Sequence, residues 1–281
     1  MSRTKIWIVL AFASLLAVGL LAVGCGGDDD DDEIAGGEDL NLITEGTLTV
    51  GTDTPFPPFE TGQPPNISGY DIDVMNAIGE DLGLEVTYED TGFGTIFRDT
   101  AQGQFDTAAA ASTILSGRER TVDFTDPYYE AQQALLVPEG SDIASVDDLS
   151  GAIVGAQDGT TGETYANDKT DASEVRGFPE GPNAIAALRT GQVDAVIIDE
   201  PVAIDAVEKQ GGVEIAEVIS TDELYGFAVA PDNDALREAM NESLMMLKDD
   251  GTIDELYEKY FATAPPESVA SGDPNPLLTN D

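Results

Sequence analysis

The chain has 281 residues, 55 of them acidic and 12 basic, giving a formal net charge of −43 with no histidine and one cysteine. A surface of that sign repels phosphates, which excludes nucleic acid and any docking on anionic lipid through a basic face. The missing histidine excludes His-ligated metal and His general bases, while 41% hydrophobic residues suffice for real cores.

The length suits two compact lobes or one large domain after processing. Charge this dense points to a salt-rich setting, where screening shortens repulsion to a few ångströms.

Residues 1–25 read as an export signal. Arg3 and Lys5 precede an apolar stretch over 6–23, and Ala22-Val23-Gly24-Cys25 resembles a lipobox, with Cys25 the residue to be lipidated. An uncleaved spanning helix is the competing reading. Either one tethers the rest of the chain to a membrane, outside the cytoplasm. With Cys25 so used, the folded part has no disulfide and depends on core burial. Residues 26–46, with the run Asp28 to Asp32 and Glu33, read as a solvated acidic tether rather than a cation site.

Beyond the tether, strand and helix patterns alternate. Leu48 and Val50 open a strand that ends at Asp53-Thr54-Pro55-Phe56-Pro57-Pro58-Phe59. Val74, Ile78 and Leu82 share one helix face, with Asp71 and Asp73 near its positive end. Leu84, Val86 and Tyr88 alternate as a strand, 93–102 is helical, and 107–111 is a short buried strand. A second series predicts strands at 153–156, near Val175, at 195–198 and at 213–219, with helices over 163–168, 183–190 and 202–210. Two amphipathic helices follow, carrying Leu236, Met240, Leu244 and Leu247, then Ile253, Leu256, Tyr257 and Tyr260. The proline-rich tail 264–281 is expected to be unstructured or loosely docked. Such alternation argues for parallel sheets.

Two four-residue echoes reinforce it. Gly103-Gln104-Phe105-Asp106 and Gly191-Gln192-Val193-Asp194 each follow a helix and precede a strand that runs out into polar residues. Two similar lobes are implied, each with ligand groups at strand C-terminal ends, where open α/β sheets bind small molecules.

The run STILSGRERTVDFTDPYY, 112–129, places Arg118 and Arg120 just after Ser112 and Thr113. A guanidinium fork fits a carboxylate bidentately. From composition alone, anion capture and neutralisation of neighbouring surface acids are equally open.

In order along the chain, the segments GTDTPFPPFE (51–60), GYDIDVMNAIGEDLG (69–83), the arginine run, DGTTGETYA (158–166), GQVDAVIID (191–199) and DDGTIDELYEKYF (249–261) resemble the solute-binding proteins for polar amino acids that feed ABC importers. The resemblance spans about 47–261. It implies an α/β, two-lobed periplasmic-binding-protein fold of type II, with two mixed, mostly parallel sheets. Lobe 1 would comprise 47–130 and 225–261 and lobe 2 would comprise 133–223, with crossings near 131–134 and 222–226. It also implies a monomer that takes an amino acid, needs no cofactor and hands its ligand to a membrane permease. Arg118 matches the arginine that forks onto the α-carboxylate, with Arg120 left structural. Thr161 matches the backbone N–H donor from the other lobe, at a helix start, and Thr160 a plain cap. Asp199 matches the acid for the α-ammonium, although a helix N-cap would also use it. Ala111 and Thr113 match a carbonyl and a hydroxyl contact. Phe56 and Phe93 match aromatic walls, which ordinary core packing would equally explain. Asp53 and Gln157 would meet the end of the ligand side chain. Gln157 stands where glutamine-binding relatives usually carry lysine, which favours a polar or cationic ligand.

Two other classes share this pattern. A prephenate- or arogenate-type dehydratase needs a carboxylic acid placed to protonate a leaving hydroxyl, and Glu60 or Glu200 are the nominees. A sensor domain usually carries a membrane helix after the lobes, whereas the tail here is polar.

Overall fold

The computed structural model describes residues 40–270. The export segment, Cys25 and most of the acidic tether lie outside them, as does the tail from residue 271. The last part of the expected tether is docked: Leu40 is buried, and the Ile43 N–H donates to Asp106 Oδ1 at 2.8 Å.

β1 (Thr47–Thr52) turns Leu48 and Val50 into the core and delivers Asp53 at its C-terminal end. A small hairpin, β2 (Thr61–Gln63) with β3 (Asn66–Ser68), leads to α1 (Tyr70–Asp81), whose Val74, Ile78 and Leu82 stripe is buried as its spacing predicts. Gly69 is required there. Its φ is 148° and an added Cβ would stand 1.9 Å from the Phe59 carbonyl oxygen. β4 (Glu85–Asp90), α2 (Phe93–Ala101), β5 (Thr107–Ala108) and β6 (Asp123–Phe124) come next. β5 is shorter than the expected 107–111, because Ala111 sits at φ 44°, outside strand geometry.

β7 (Tyr129–Pro138) then leaves the first sheet for the second. It is followed by β8 (Ile153–Gln157), α3 (Thr161–Lys169), β9 (Glu174–Phe178), α4 (Gly181–Arg189), β10 (Ala195–Asp199) and α5 (Glu200–Gln210). β11 (Val213–Tyr225) returns to β12 (Ala228–Val229), α6 (Asp234–Asp249) and α7 (Thr252–Phe261). Within the expected tail 264–281, residues 267–270 form a turn of helix, α8 (Glu267–Ala270). Val269 is fully buried, and Ser268 Oγ donates to the Glu130 carboxylate at the start of β7.

The first sheet has the order β4-β1-β5-β12-β6 and the second β11-β7-β10-β8-β9. Both are mixed. β1 pairs parallel with β4 and β5, and β8 with β9 and β10. β12 pairs antiparallel with β5 and β6, and β7 with β10 and β11. Strand–helix alternation marks only the parallel halves. The antiparallel halves are built by β7 and β11, the strands that pass between sheets, and by β12 just after the return.

The sequence echo has a structural basis. Asp106 N–H donates to the Thr49 carbonyl at 2.9 Å and its carboxylate accepts from Thr49 N–H at 2.8 Å. Asp194 does the same with Ile153, both bonds at 2.8 Å. Each aspartate closes a backbone ring on the neighbouring parallel strand, satisfying groups the short strand after it cannot reach.

Candidate functional site

All nine residues singled out by the resemblance line one cavity: Asp53, Phe56, Phe93, Ala111, Thr113, Arg118, Gln157, Thr161 and Asp199, joined by Ala110 and Thr160. Its free volume is about 20 Å³, room for about one water molecule. β1 and the segment after β5 supply one wall, and the C-terminal ends of β8 and β10 supply the other, as the open-sheet rule requires.

Arg118 sits in the turn after Ile114 and is half-buried. Its Nη1 donates to the Thr113 carbonyl at 2.8 Å and its Nη2 to the Gly159 carbonyl at 3.2 Å. The guanidinium carbon lies 5.0 Å from the Phe93 ring centre and 4.8 Å from that of Phe97, within cation–π range. Among the described residues, no carboxylate forms an ion pair with it. Burial lowers its pKa to about 10, partly offset by Glu223 and Asp199. A guanidinium held by rings and carbonyls, with no ion pair among the described residues, has donors to offer an anion. Arg120 is exposed and lines no part of the cavity.

Facing it, α3 begins at Thr161, two residues earlier than its sequence pattern predicts. Thr160 is the N-cap, accepting from Glu163 N–H at 3.2 Å, as expected of a plain cap. The N–H of the first helical residue has no partner within the helix, so Thr161 presents a free donor where the helix dipole favours an anion.

Asp199 holds the N-cap position of α5 but makes no capping bond. Its carboxylate accepts instead from Tyr225 Oη and Gln133 Nε2. Burial, then the charge of Glu223, raises its pKa to about 7. At the other end, Gln157 Nε2 donates to Asp53 Oδ2 at 2.6 Å and to the Pro179 carbonyl at 3.2 Å. Burial raises Asp53 to about 6, against the lowering effect of the Gln157 bond. Phe93 is buried and serves as core and wall together.

Behind the cavity, the Ala111 N–H donates to Asp71 Oδ2 at 2.8 Å, and Tyr128 Oη donates to the same oxygen at 2.7 Å. These bonds hold Ala111 in its left-handed conformation. Glu60 is fully buried beside Asp71. Burial, then the charge of Asp71, pushes its carboxyl well above the usual range. Neither Glu60 nor Glu200 lines the cavity.

Sequence reasoning missed Gln133, Glu223, Tyr225 and Phe97. The glutamine pair 132–133, leading straight into the apolar run 134–137, is a signal for Gln133; a glutamate among 55 acids gives none.

The raised carboxyls have a consequence for stability. Unfolded-chain carboxyls titrate near about 4, whereas Asp53 and Asp199 titrate at about 6 and 7 when folded. Between those limits the folded form binds more protons, so stability gained at low pH is lost as pH rises through 6 and 7. The ligand-free protein is expected to melt about 5 °C or more higher at pH 5 than at pH 8. Calorimetric melting in matched ionic strength checks this, and a lower melting point at pH 5 would contradict it.

Two open mixed sheets, joined by a pair of long antiparallel strands and enclosing a charged cavity at their strand ends, define a ligand clamp of the type II periplasmic-binding-protein fold. The model of the bacterial extracellular solute-binding proteins, family 3, matches residues 48–263, and the chain belongs to that family. It is 34% identical over 271 residues to the ABC transporter glutamine-binding protein GlnH of Bacillus subtilis, covering 92% of this chain and 98% of that one. An ancestral arginine-binding protein bound to glutamine is 39% identical, with a TM-score of 0.74 over 78% of this chain and 100% of its own. The arginine-, lysine-, histidine-binding protein ArtJ from Geobacillus stearothermophilus is 31% identical, with a TM-score of 0.74 over 80% of this chain and 99% of that one.

Proposed function

We propose that this protein captures a polar L-amino acid, with a cationic side chain preferred, and delivers it to an ABC importer from a lipid anchor at Cys25. The observation that carries the reading is the unneutralised Arg118 facing the N-terminus of α3, with Asp199 at the far side of the same cavity. In this reading Arg118 and the Thr161 N–H hold the α-carboxylate. Asp199, the Thr113 hydroxyl and the Ala111 carbonyl hold the α-ammonium. Phe56 and Phe93 flank the side chain, whose end meets Asp53 and Gln157. A free volume of about 20 Å³ requires the lobes, 47–130 with 225–261 and 133–223, to part before a ligand enters.

Charge counting supports the cationic preference. Two carboxylates and one guanidinium line the cavity, leaving one excess negative charge when all are ionised. An arginine- or lysine-like ligand, net +1, neutralises it; glutamine leaves it unchanged, and glutamate doubles it. The absence of Glu60 and Glu200 from the lining weighs against a dehydratase built on either.

Calorimetric titration over the twenty amino acids tests the proposal, with arginine or lysine expected ahead of glutamine. Tightest binding to glutamate or aspartate would refute the charge argument. Asp53→Asn is expected to cut the preference for arginine over glutamine by about tenfold or more, because it removes the charge at the side-chain end. An unchanged ratio would take Asp53 out of that role.

A further inference from the structure

Glu223 belongs to the returning strand β11 and is buried, yet it lies just behind the cavity lining. Between Ile219 and Glu223 the ladder with β7 skips, and Asp222 takes φ 50°. Such an irregularity re-aims the side chains beyond it. The re-aimed Glu223 carboxylate accepts from Thr113 Oγ1 at 2.6 Å and from Gln133 Nε2 at 3.1 Å. Gln133 stands on the outgoing strand β7, directly opposite Asp199 of β10. Its Nε2 contacts Asp199 Oδ1, Glu223 Oε1 and, at 3.2 Å, Thr161 Oγ1.

Two features of this chain point beyond packing. The amide nitrogen has two hydrogens for three oxygens, so at least one acceptor is left for another donor. The Thr113 proton is committed to Glu223, so that hydroxyl turns its lone pairs toward the cavity it lines. Both leave the cavity rich in acceptors where an ammonium, with three donors and a positive charge, would lie. The network also runs from Thr113 on the first wall, through a residue on each passing strand, to Asp199 and Thr161 on the second.

We propose that Glu223 is a further positioning residue for the ligand: through the Thr113 hydroxyl and the Gln133 amide, it makes the ammonium end of the cavity a two-acid site whose assembly depends on closure. The proposal rests on the amino-acid reading of this same cavity. The ionisable groups around Asp199 are Glu223 and Tyr225 on β11, Tyr129 on β7, Arg118, and Glu60 behind the first wall. Of these, Glu223 is the strongest like-charged neighbour. Removing its charge therefore eases ionisation of Asp199 while weakening the hold on an ammonium.

Titration calorimetry of the full chain with L-arginine and with L-glutamine, from pH 5.5 to 8.5, tests this. Glu223→Gln is expected to weaken the tighter ligand by about tenfold at pH 8 and to move the acid limb of its binding down by about one pH unit. Glu223→Asp, which keeps the charge, is expected to recover part of the affinity and leave the limb in place. Glu223→Met serves as the neutral variant if the Gln variant does not fold. Binding within twofold of wild type with an unmoved limb would overturn the proposal while leaving amino-acid capture intact. A uniform loss at every pH, not relieved by Asp, would mean a structural role and would overturn it as well. Failure of the unaltered chain to bind either amino acid would remove the functional reading, and this proposal with it.

Discussion

Arg118→Ala is expected to abolish measurable amino-acid binding, a loss of about a thousandfold or more, while the melting point of the ligand-free protein moves by a few degrees at most. The magnitude reflects the environment left for the ligand. Its carboxylate would enter a site with no cation, and breaking a buried charge pair by removing one partner costs about 3–5 kcal/mol. The modest effect on folding reflects the site itself. Arg118 is half-buried, and it forms no ion pair among the described residues whose loss would strand an acid. Its bonds to the Thr113 and Gly159 carbonyls, and its approach to Phe93 and Phe97, position the guanidinium more than they sustain the core. Arg118→Lys keeps the charge but loses the planar fork, so it should retain weak binding. Calorimetry and thermal melting on the same preparations give both readouts. Survival of affinity in the Ala variant would remove Arg118 as the carboxylate anchor.

Asp199→Asn should separate function from stability in opposite directions. Binding is expected to fall by about a hundredfold, because an amide cannot neutralise the ligand ammonium and the two site donors, Tyr225 and Gln133, must be shared differently. The ligand-free protein should melt higher at pH 8, since the change removes a buried carboxylate held beside Glu223. Asp199 titrates at about 7, so this gain should shrink toward pH 5, where the wild-type group is already protonated. Sites that must bind a charge are commonly held at a cost to the fold. A variant that melts lower at pH 8 would show that Asp199 stabilises the protein, contrary to its raised pKa.

Much of this is legible in the amino-acid order alone. Hydrophobic spacing places β1, α1, β4 and the elements from β8 to α5 to within a few residues, because each presents a regular apolar face to a sheet or core. The family pattern names nine residues that converge on one cavity. The features that escape it have identifiable reasons. β7 carries Gln132 and Gln133 in its first half, which breaks the apolar run a strand would show. Ala111 takes a left-handed conformation that no local preference of alanine announces, because Asp71 imposes it from outside. α8 lies behind Pro265 and Pro266, which read as loop, while its anchor is one buried side chain, Val269. Glu223 is hidden by abundance: one acid among 55 carries no signal until the chain irregularity before it is seen.

The tightness of the shut cavity bears on timing as much as on recognition. Space for about one water between its walls leaves no ligand-sized opening, so entry and departure wait for the gate to swing. The rate of departure is then capped by the frequency of that swing, which lies on the microsecond-to-millisecond scale for domain motions. Contacts inside the jaws then act on affinity by altering how often the gate stays open long enough for escape.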